Sequence, residues 1–244
     1  MKKSNVIKIF FENNDVGMHN ESNRISWLHD TLLKLPEDSR ILDAGAGELD
    51  QKKFCNHLNY VSQDFAQYNG DGNGKGFHTG SWDTDKVDII SDITNIPEPD
   101  GSFDAIMCVE VFEHLPNPLE AIREFKRLLK KGGYLIITAP FCSLSHFAPY
   151  HFYSGFNRYF FETHLSSYGF SIIELSSNGN YFEYMAQELR RVSSCVKEYT
   201  EESFSVADKL AVNQLLKSMS KFSNADQKSD EILNFGFHVL ARVD

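Results

Sequence analysis

Three carboxylates stand where short apolar runs end. Asp43 lies within ILDAGAGELD (41–50), just ahead of Gly45 and Gly47; Asp64 closes NYVSQD (59–64) and Asp92 closes VDIISD (87–92). Glycines at 45 and 47 permit a tight turn and let backbone amides approach a ligand with no side chain in the way. An acid about 20 residues after such a turn, at the end of the next strand, can accept both hydroxyls of an adenosine ribose. A second concentration of chemistry lies at 141–161, FCSLSHFAPYHFYSGFNRYFF, where aromatics alternate with His146, His151 and Arg158. Histidine titrates in the range useful for proton transfer, and an arginine can hold a phosphate or carboxylate by a bidentate contact.

The elements that must position these groups follow from periodicity. Runs at 40–45, 59–64, 87–92, 103–112 and 134–140 are continuously apolar, as strands covered on both faces are. Between the last two, Leu119, Ile122, Phe125, Leu128 and Leu129 share one helical face. Asn117 is the expected cap, Pro118 suits the first position, and Gly132-Gly133 is the expected stop. An earlier helix runs from Ser22 to Leu35, before Pro36. A later one is NRYFFETHLSSYG, and the last two strands are predicted at 170–175 and 234–243. The stretch 181–220 reads as helical with weakening periodicity, and SMSKFSNADQKSDE (218–231) as a mobile surface loop. Strand, helix, strand repeated in this way predicts an α/β fold, a Rossmann-like sheet of seven mostly parallel strands with helices on both faces and the last strand antiparallel. A single domain spanning 1–244 is expected. It has a helical extension at 1–37, a cofactor-binding core at 38–141, and an acceptor-side segment with the last strands at 142–244.

Composition excludes several classes. With 24 Lys+Arg against 34 Asp+Glu the formal charge is −10. No long basic run offsets it, which disfavours a nucleic-acid partner. Cys55, Cys108, Cys142 and Cys195 are too scattered for a zinc site or a disulfide framework, so reduced thiols in the cytoplasm are expected, and no metal. MKKSNVIKIFFENND has too short an apolar run for a signal peptide, and no run approaches the ~20 residues of a membrane span. NGDGNGKG (69–76) lacks the Lys-Ser/Thr ending of a phosphate loop and reads as a flexible loop.

Over about residues 38–141 these motifs resemble the class I S-adenosylmethionine-dependent methyltransferases, within the broad group called methyltransferase type 11. ILDAGAGELD is similar to the family's first motif, SQD to its ribose-binding acid, SDITNIPEPDGSFDAIMCVEVFEHL (91–115) to its third and fourth strands, and LKKGGYLIITAP (129–140) to its fifth. The resemblance implies S-adenosylmethionine as cofactor. Asp43, Gly45 and Gly47 would lie at its methionine and ribose part, Asp64 on the ribose hydroxyls, Asp92 and Ile93 at the adenine, and Glu110 at the methionine end. Where the family usually has a third glycine, this chain has Leu49.

The segment 144–160 follows the fifth strand and is expected to roof the pocket as the site of a small-molecule acceptor. Tyr150, Tyr153 and Arg158 would bind the acceptor, and His146 or His151 would be the general base if its nucleophile is an oxygen or nitrogen carrying a proton. His114 matches a family position, but packing or capping is the plainer reading there. FAPYHFYSGFNRYFF with NGNYFEYMAQELRR (178–191) bears a looser similarity to methyltransferases of bacterial cell-surface polysaccharide synthesis, which suggests a sugar or nucleotide-sugar acceptor. An NAD-dependent oxidoreductase and a non-catalytic S-adenosylmethionine-binding scaffold remain the alternatives.

Overall fold

The computed structural model describes residues 14–244, so the expectation about the first 13 residues lies outside the described part. Seven strands form one sheet: β1 (Arg40–Ala44), β2 (Asn59–Asp64), β3 (Ile89–Ile90), β4 (Phe103–Val109), β5 (Leu129–Pro140), β6 (Phe170–Asn178) and β7 (Gly236–Val243), in the order β3-β2-β1-β4-β5-β7-β6. β1 pairs in parallel with β2 and β4, and β4 with β5, whereas β7 runs antiparallel to β5. The strand order reverses between β1 and β4. That switch point is where open α/β sheets bind ligands, outside the carboxyl ends of the strands.

Continuous apolarity of the strands has the cause expected of it, since both faces are covered. Leu42, Ala44, Ile106, Cys108, Leu135, Ile137 and Ala139 pack on one side with Ala121, Ile122, Phe125 and Leu128 of α2 (Pro118–Leu128) and Phe161 and Leu165 of α3 (Arg158–Ser167). Ile41, Ala105, Met107 and Ile136 point the other way, onto Leu28 and Leu32 of α1 (Asn20–Leu32) and Leu35. Burying each of these larger side chains contributes roughly 1.5–3 kcal/mol. Asn117 stands at the N-cap of α2, but its side chain makes no capping bond. Nor do Gly132 and Gly133 end that helix. It stops at Leu128, and both glycines lie within β5.

The chain divides into two compact units. The larger comprises Arg24–Ser176 and Gly236–Asp244 and holds the sheet. The smaller comprises the described residues up to Asn23 and Ser177–Phe235. It is built on α4 (Tyr181–Tyr199) and α5 (Val206–Asn224), with Val16, Ala186 and Leu216 at its centre. Here the sequence expectation of a loop from 218 is corrected. Val212, Leu216 and Met219 continue an apolar stripe at helical spacing, and a Ser205–Asp208 capping box starts the helix, so α5 stays helical through Asn224. Among the described residues no helix is long and apolar enough to cross a membrane.

His238 on β7 is 5% exposed and stacks on Trp27 with ring centroids 4.8 Å apart. Burial, with the Arg24 charge second, pushes its pKa down to about 4. A histidine held below its unfolded value binds fewer protons folded than unfolded between pH 6.5 and 4. Its stabilising contribution is therefore full above 6.5 and lost as pH falls through that window. His238→Phe should flatten the acid slope of denaturant stability there, by at least about 1.4 kcal/mol, the equivalent of one pH unit. An unaltered slope between pH 6.5 and 4 would remove His238 from the account.

Candidate functional site

The glycine turn after β1 is tied to β2 through its own backbone, since Gly45 N and Ala46 N donate to Gln63 O at 2.8 and 2.9 Å. Both glycines have positive φ. A Cβ on Gly45 would lie 2.6 Å from Val111 Cγ2, and one on Gly47 2.5 Å from Trp82 Cζ2, so neither position accepts a side chain without displacement. Leu49 takes φ +65 and keeps the loop path in a left-handed conformation where the related motif has glycine. That conformation costs a non-glycine residue about 1–2 kcal/mol. Leu49→Gly should accordingly raise thermal stability, the gain being reduced below ~1 kcal/mol by glycine's greater freedom when unfolded. A lowered melting temperature would show that the Leu49 side chain contributes more packing than its backbone costs.

The first two strand-end acids are buried and differently engaged. Asp43, 1% exposed, accepts from the Tyr60 hydroxyl at 2.6 Å; burial raises its pKa to about 7 against that hydrogen bond, helped by the Asp64 charge. Asp64, 6% exposed, accepts from Gly47 N on Oδ2 at 2.9 Å and from Ala66 N on Oδ1 at 2.8 Å. Each carboxylate oxygen accommodates about two donors, so Asp64 retains capacity for a diol. Asp92 is exposed, and its Oδ1 accepts from Thr94 N and Oγ1 at 2.8 and 2.7 Å, while Ile93 beside it is buried in the core.

Across the switch point, Glu110 follows β4 with φ +55, a left-handed backbone of the kind that concentrates at functional sites. Its Oε1 accepts from Thr138 Oγ1 at 2.9 Å and its Oε2 faces Arg24 Nη1 at 3.3 Å. Arg24 carried no signal in the sequence reading. The 3-10 turn Phe112–His114 comes next and turns Glu113 and His114 toward the segment after β5.

That segment does not stand alone. Phe77 N donates to Ser145 O and Phe147 N to Phe77 O, at 3.1 and 3.0 Å, and Asn73 N donates to Ala148 O at 2.9 Å. The glycine-rich stretch 69–76 is thus not a free loop but one half of the roof. Gly72 and Gly76 approach Ala148 O and Ser145 O so closely that added Cβ atoms would lie 2.1 and 2.6 Å from them. Tyr68 stacks on Phe147 at 4.5 Å, and Trp82, which covers Gly47, meets Phe147 edge-on at 5.2 Å.

Under this roof three histidines gather. Ring centroids lie 4.6 Å apart for His114 and His146, 4.8 Å for His146 and His151, and 6.0 Å for His114 and His151. His151 Nε2 lies 3.1 Å from Ser143 Oγ, which donates to Ser154 O; Nε2–H then donates to Ser143 and Nδ1 carries the lone pair. Burial, and then the neighbouring His146, lower the pKa of His151; burial pushes that of His114 down to about 3. Buried Glu113 is driven the other way, to about 8, by desolvation and then by the charge of Glu110. The structure brings His146 and His151 together and sets Glu113 and His114 beside them. Tyr150 offers its carbonyl to His114 and sets its ring edge-on to Phe65. Tyr153 donates to Pro116 O at 3.3 Å, and Arg158 is engaged by Glu162 on its own helix at 3.1 Å.

A family model described as a methyltransferase domain matches residues 53–137. Residues 53–137 are thus similar to a methyltransferase domain, and the match covers less than half of the chain. The chain is locally 43% identical, over 53 residues, to a ubiquinone biosynthesis O-methyltransferase of Xanthomonas oryzae pv. oryzae (strain PXO99A), and 35% identical over 49 residues to one of Marinobacter nauticus (strain ATCC 700491 / DSM 11845 / VT8). These matches cover 22% and 20% of this chain and 21% of each relative, so the similarity spans about a fifth of the curated proteins it matches. In fold the chain is similar to a SAM-dependent methyltransferase from Archaeoglobus fulgidus, with TM-score 0.53, 16% identity, and coverage of 89% of this chain and 92% of that one. The [4+2]-cyclase SpnF gives TM-score 0.53 at 17% identity, covering 89% of this chain and 80% of that one. One architecture therefore serves distinct chemistries, and the site must carry the functional argument.

Proposed function

We propose that this protein transfers the methyl group of S-adenosylmethionine to an oxygen of a small acceptor, with residues 38–141 and Arg24 holding the cofactor and the segment 144–160 the acceptor. The observation that carries the reading is Asp64, buried at the end of β2, bonded to the Gly47 amide and retaining lone pairs for a ribose diol at the switch point. The donor set fits the rest of the cofactor. Arg24 and Glu110 offer one positive and one negative group to the carboxylate and ammonium of an amino-acid moiety, and Gly45 and Gly47 leave room for close backbone approach. When bound, S-adenosylmethionine supplies a methyl group on a positively charged sulfur, an already activated leaving group.

What remains for the chain is alignment and one proton. Tyr68, Trp82 and Phe147 pack ring to ring over the site, and holding two reactants in line contributes much of the rate of such a displacement. His146 or His151 accepts the proton of the acceptor hydroxyl. Oxygen is preferred to nitrogen because the local similarity is to O-methyltransferases. Exposed aromatic faces at Phe152 and Tyr153 suit the flat side of a sugar or nucleotide-sugar, which we retain as the acceptor class, with phenols as the comparison.

The chain has two tryptophans, and Trp82 lies on Gly47. Titration with S-adenosylmethionine should change the intrinsic fluorescence, Trp82→Phe should abolish most of the change, and label from the methyl group should appear on a sugar or phenol hydroxyl. A response to NAD alone would defeat the reading. Cofactor binding without transfer to any hydroxyl would favour a scaffold, the alternative raised by a cyclase of the same fold.

A further inference from the structure

We propose that Glu113, His114 and His146 form a binding site for one divalent first-row transition-metal ion, of which Zn²⁺ is the representative. This departs from the expectation, drawn from cysteine spacing, that no metal is held. Glu113 Oε1 lies 3.8 Å from His114 Nε2 and 3.9 Å from His146 Nε2, and one ligand atom from each of the three residues falls within 4.8 Å of the others.

The orientation of the two imidazoles supports a ligand role. His114 Nδ1 is 2.6 Å from Tyr150 O and His146 Nδ1 2.8 Å from Leu144 O; a carbonyl only accepts, so both Nδ1 atoms carry the proton. Each ring then presents an Nε2 lone pair toward the Glu113 carboxylate. A carbonyl fixing the tautomer from behind is the usual outer shell of a metal-bound histidine. Three acceptor atoms facing one another repel unless a cation or a proton lies among them. A second observation is independent of the rings. The Glu113 side chain is 2% exposed, and its Oε2 finds no hydrogen-bond partner among the described residues, an uncompensated position for a buried carboxylate.

Two imidazole nitrogens with one carboxylate oxygen suit zinc and its transition-metal neighbours, whereas magnesium and calcium favour all-oxygen sets. Bonds of about 2.1 Å place ligand atoms roughly 3.0–3.4 Å apart, so closure needs movements of about 1 Å. Three protein ligands leave a coordination position open to an oxygen under the roof. In that role, which rests on the methyl-transfer reading, the ion holds the acceptor hydroxyl, His146 is committed to the ion, and His151 is left as the base.

The test uses untagged full-length protein freed of metal by chelation and titrated with Co²⁺, without S-adenosylmethionine or acceptor. Visible d–d absorption should rise to one equivalent and be displaced by Zn²⁺. His146→Ala and Glu113→Gln should each weaken binding more than about 10-fold, the lower limit of what outer-shell changes alone cost. His29→Gln, outside the cluster, should bind as the parent does. His146 is partly exposed, so its variant remains informative if the buried Glu113→Gln protein does not fold. The absence of a cobalt spectrum, or parental affinity in His146→Ala, overturns the site. Calorimetry with S-adenosylmethionine alone separates the two readings, because cofactor binding without cobalt binding refutes only the metal site, and the reverse refutes only the methyltransferase reading.

Discussion

Asp64→Ala should weaken S-adenosylmethionine binding by roughly 10- to 150-fold, corresponding to about 1.5–3 kcal/mol for hydrogen bonds made to a charged group. The loss has two physical parts. A ribose diol forfeits its charged acceptor, and the amides of Gly47 and Ala66 forfeit the carboxylate that fixes the turn beneath the cofactor. Asp64→Asn separates them. The amide keeps one oxygen for the turn but replaces the other with a donor, so it should preserve most of the thermal stability while still losing affinity. Isothermal calorimetry on both variants, beside thermal melts, reads the two quantities independently. An unchanged dissociation constant in Asp64→Ala would place the ribose elsewhere and leave the carboxylate a purely structural part of the turn.

The parts of the fold that were legible from sequence are those whose cause is local. Strands 40–45, 59–64 and 134–140 announce themselves because burial on both faces demands unbroken apolarity, and the helix at 118–128 because one stripe must meet the sheet. Boundaries set by tertiary context were not. β3 shrinks to Ile89–Ile90 at the edge of the sheet, and α5 outlasts its own polarity because Leu216 and Met219 find partners. Leu49 shows a different limit, since a missing glycine signals a changed loop only if no other residue adopts its conformation, and Leu49 does.

The candidate site divides in the same way. Gly45, Gly47 and Asp64 were readable because spacing alone relates them through two consecutive strands. His146 and His151 were readable as a local concentration of titratable groups among aromatics. Their partners were not, because Phe77 meets His146 across 69 positions and His114 reaches the carbonyl of Tyr150 across 36. The dipeptide Glu113-His114 was in view in EVFEHL, but nothing in one sequence says that its histidine faces two others.

His151→Ala should lower methyl transfer by about 10²- to 10⁴-fold while leaving S-adenosylmethionine affinity nearly intact, the range that a positioned general base contributes. The case for His151 over His146 is geometric. Ser143 Oγ donates to Ser154 O and so takes up the Nε2–H of His151, which leaves the Nδ1 lone pair to receive a proton. His146 points Nε2 at Glu113 instead, where a bound ion would claim it. The two variants therefore differ in kind. His151→Ala should lose turnover with Co²⁺ binding preserved, whereas His146→Ala should lose both, and added metal should not rescue the first. Single-turnover measurements with saturating cofactor isolate the chemical step from acceptor binding. If His151→Ala turns over at the parental rate under those conditions, the acceptor oxygen reaches the reaction already deprotonated or loses its proton to solvent, and His151 serves to hold the roof in place through Ser143.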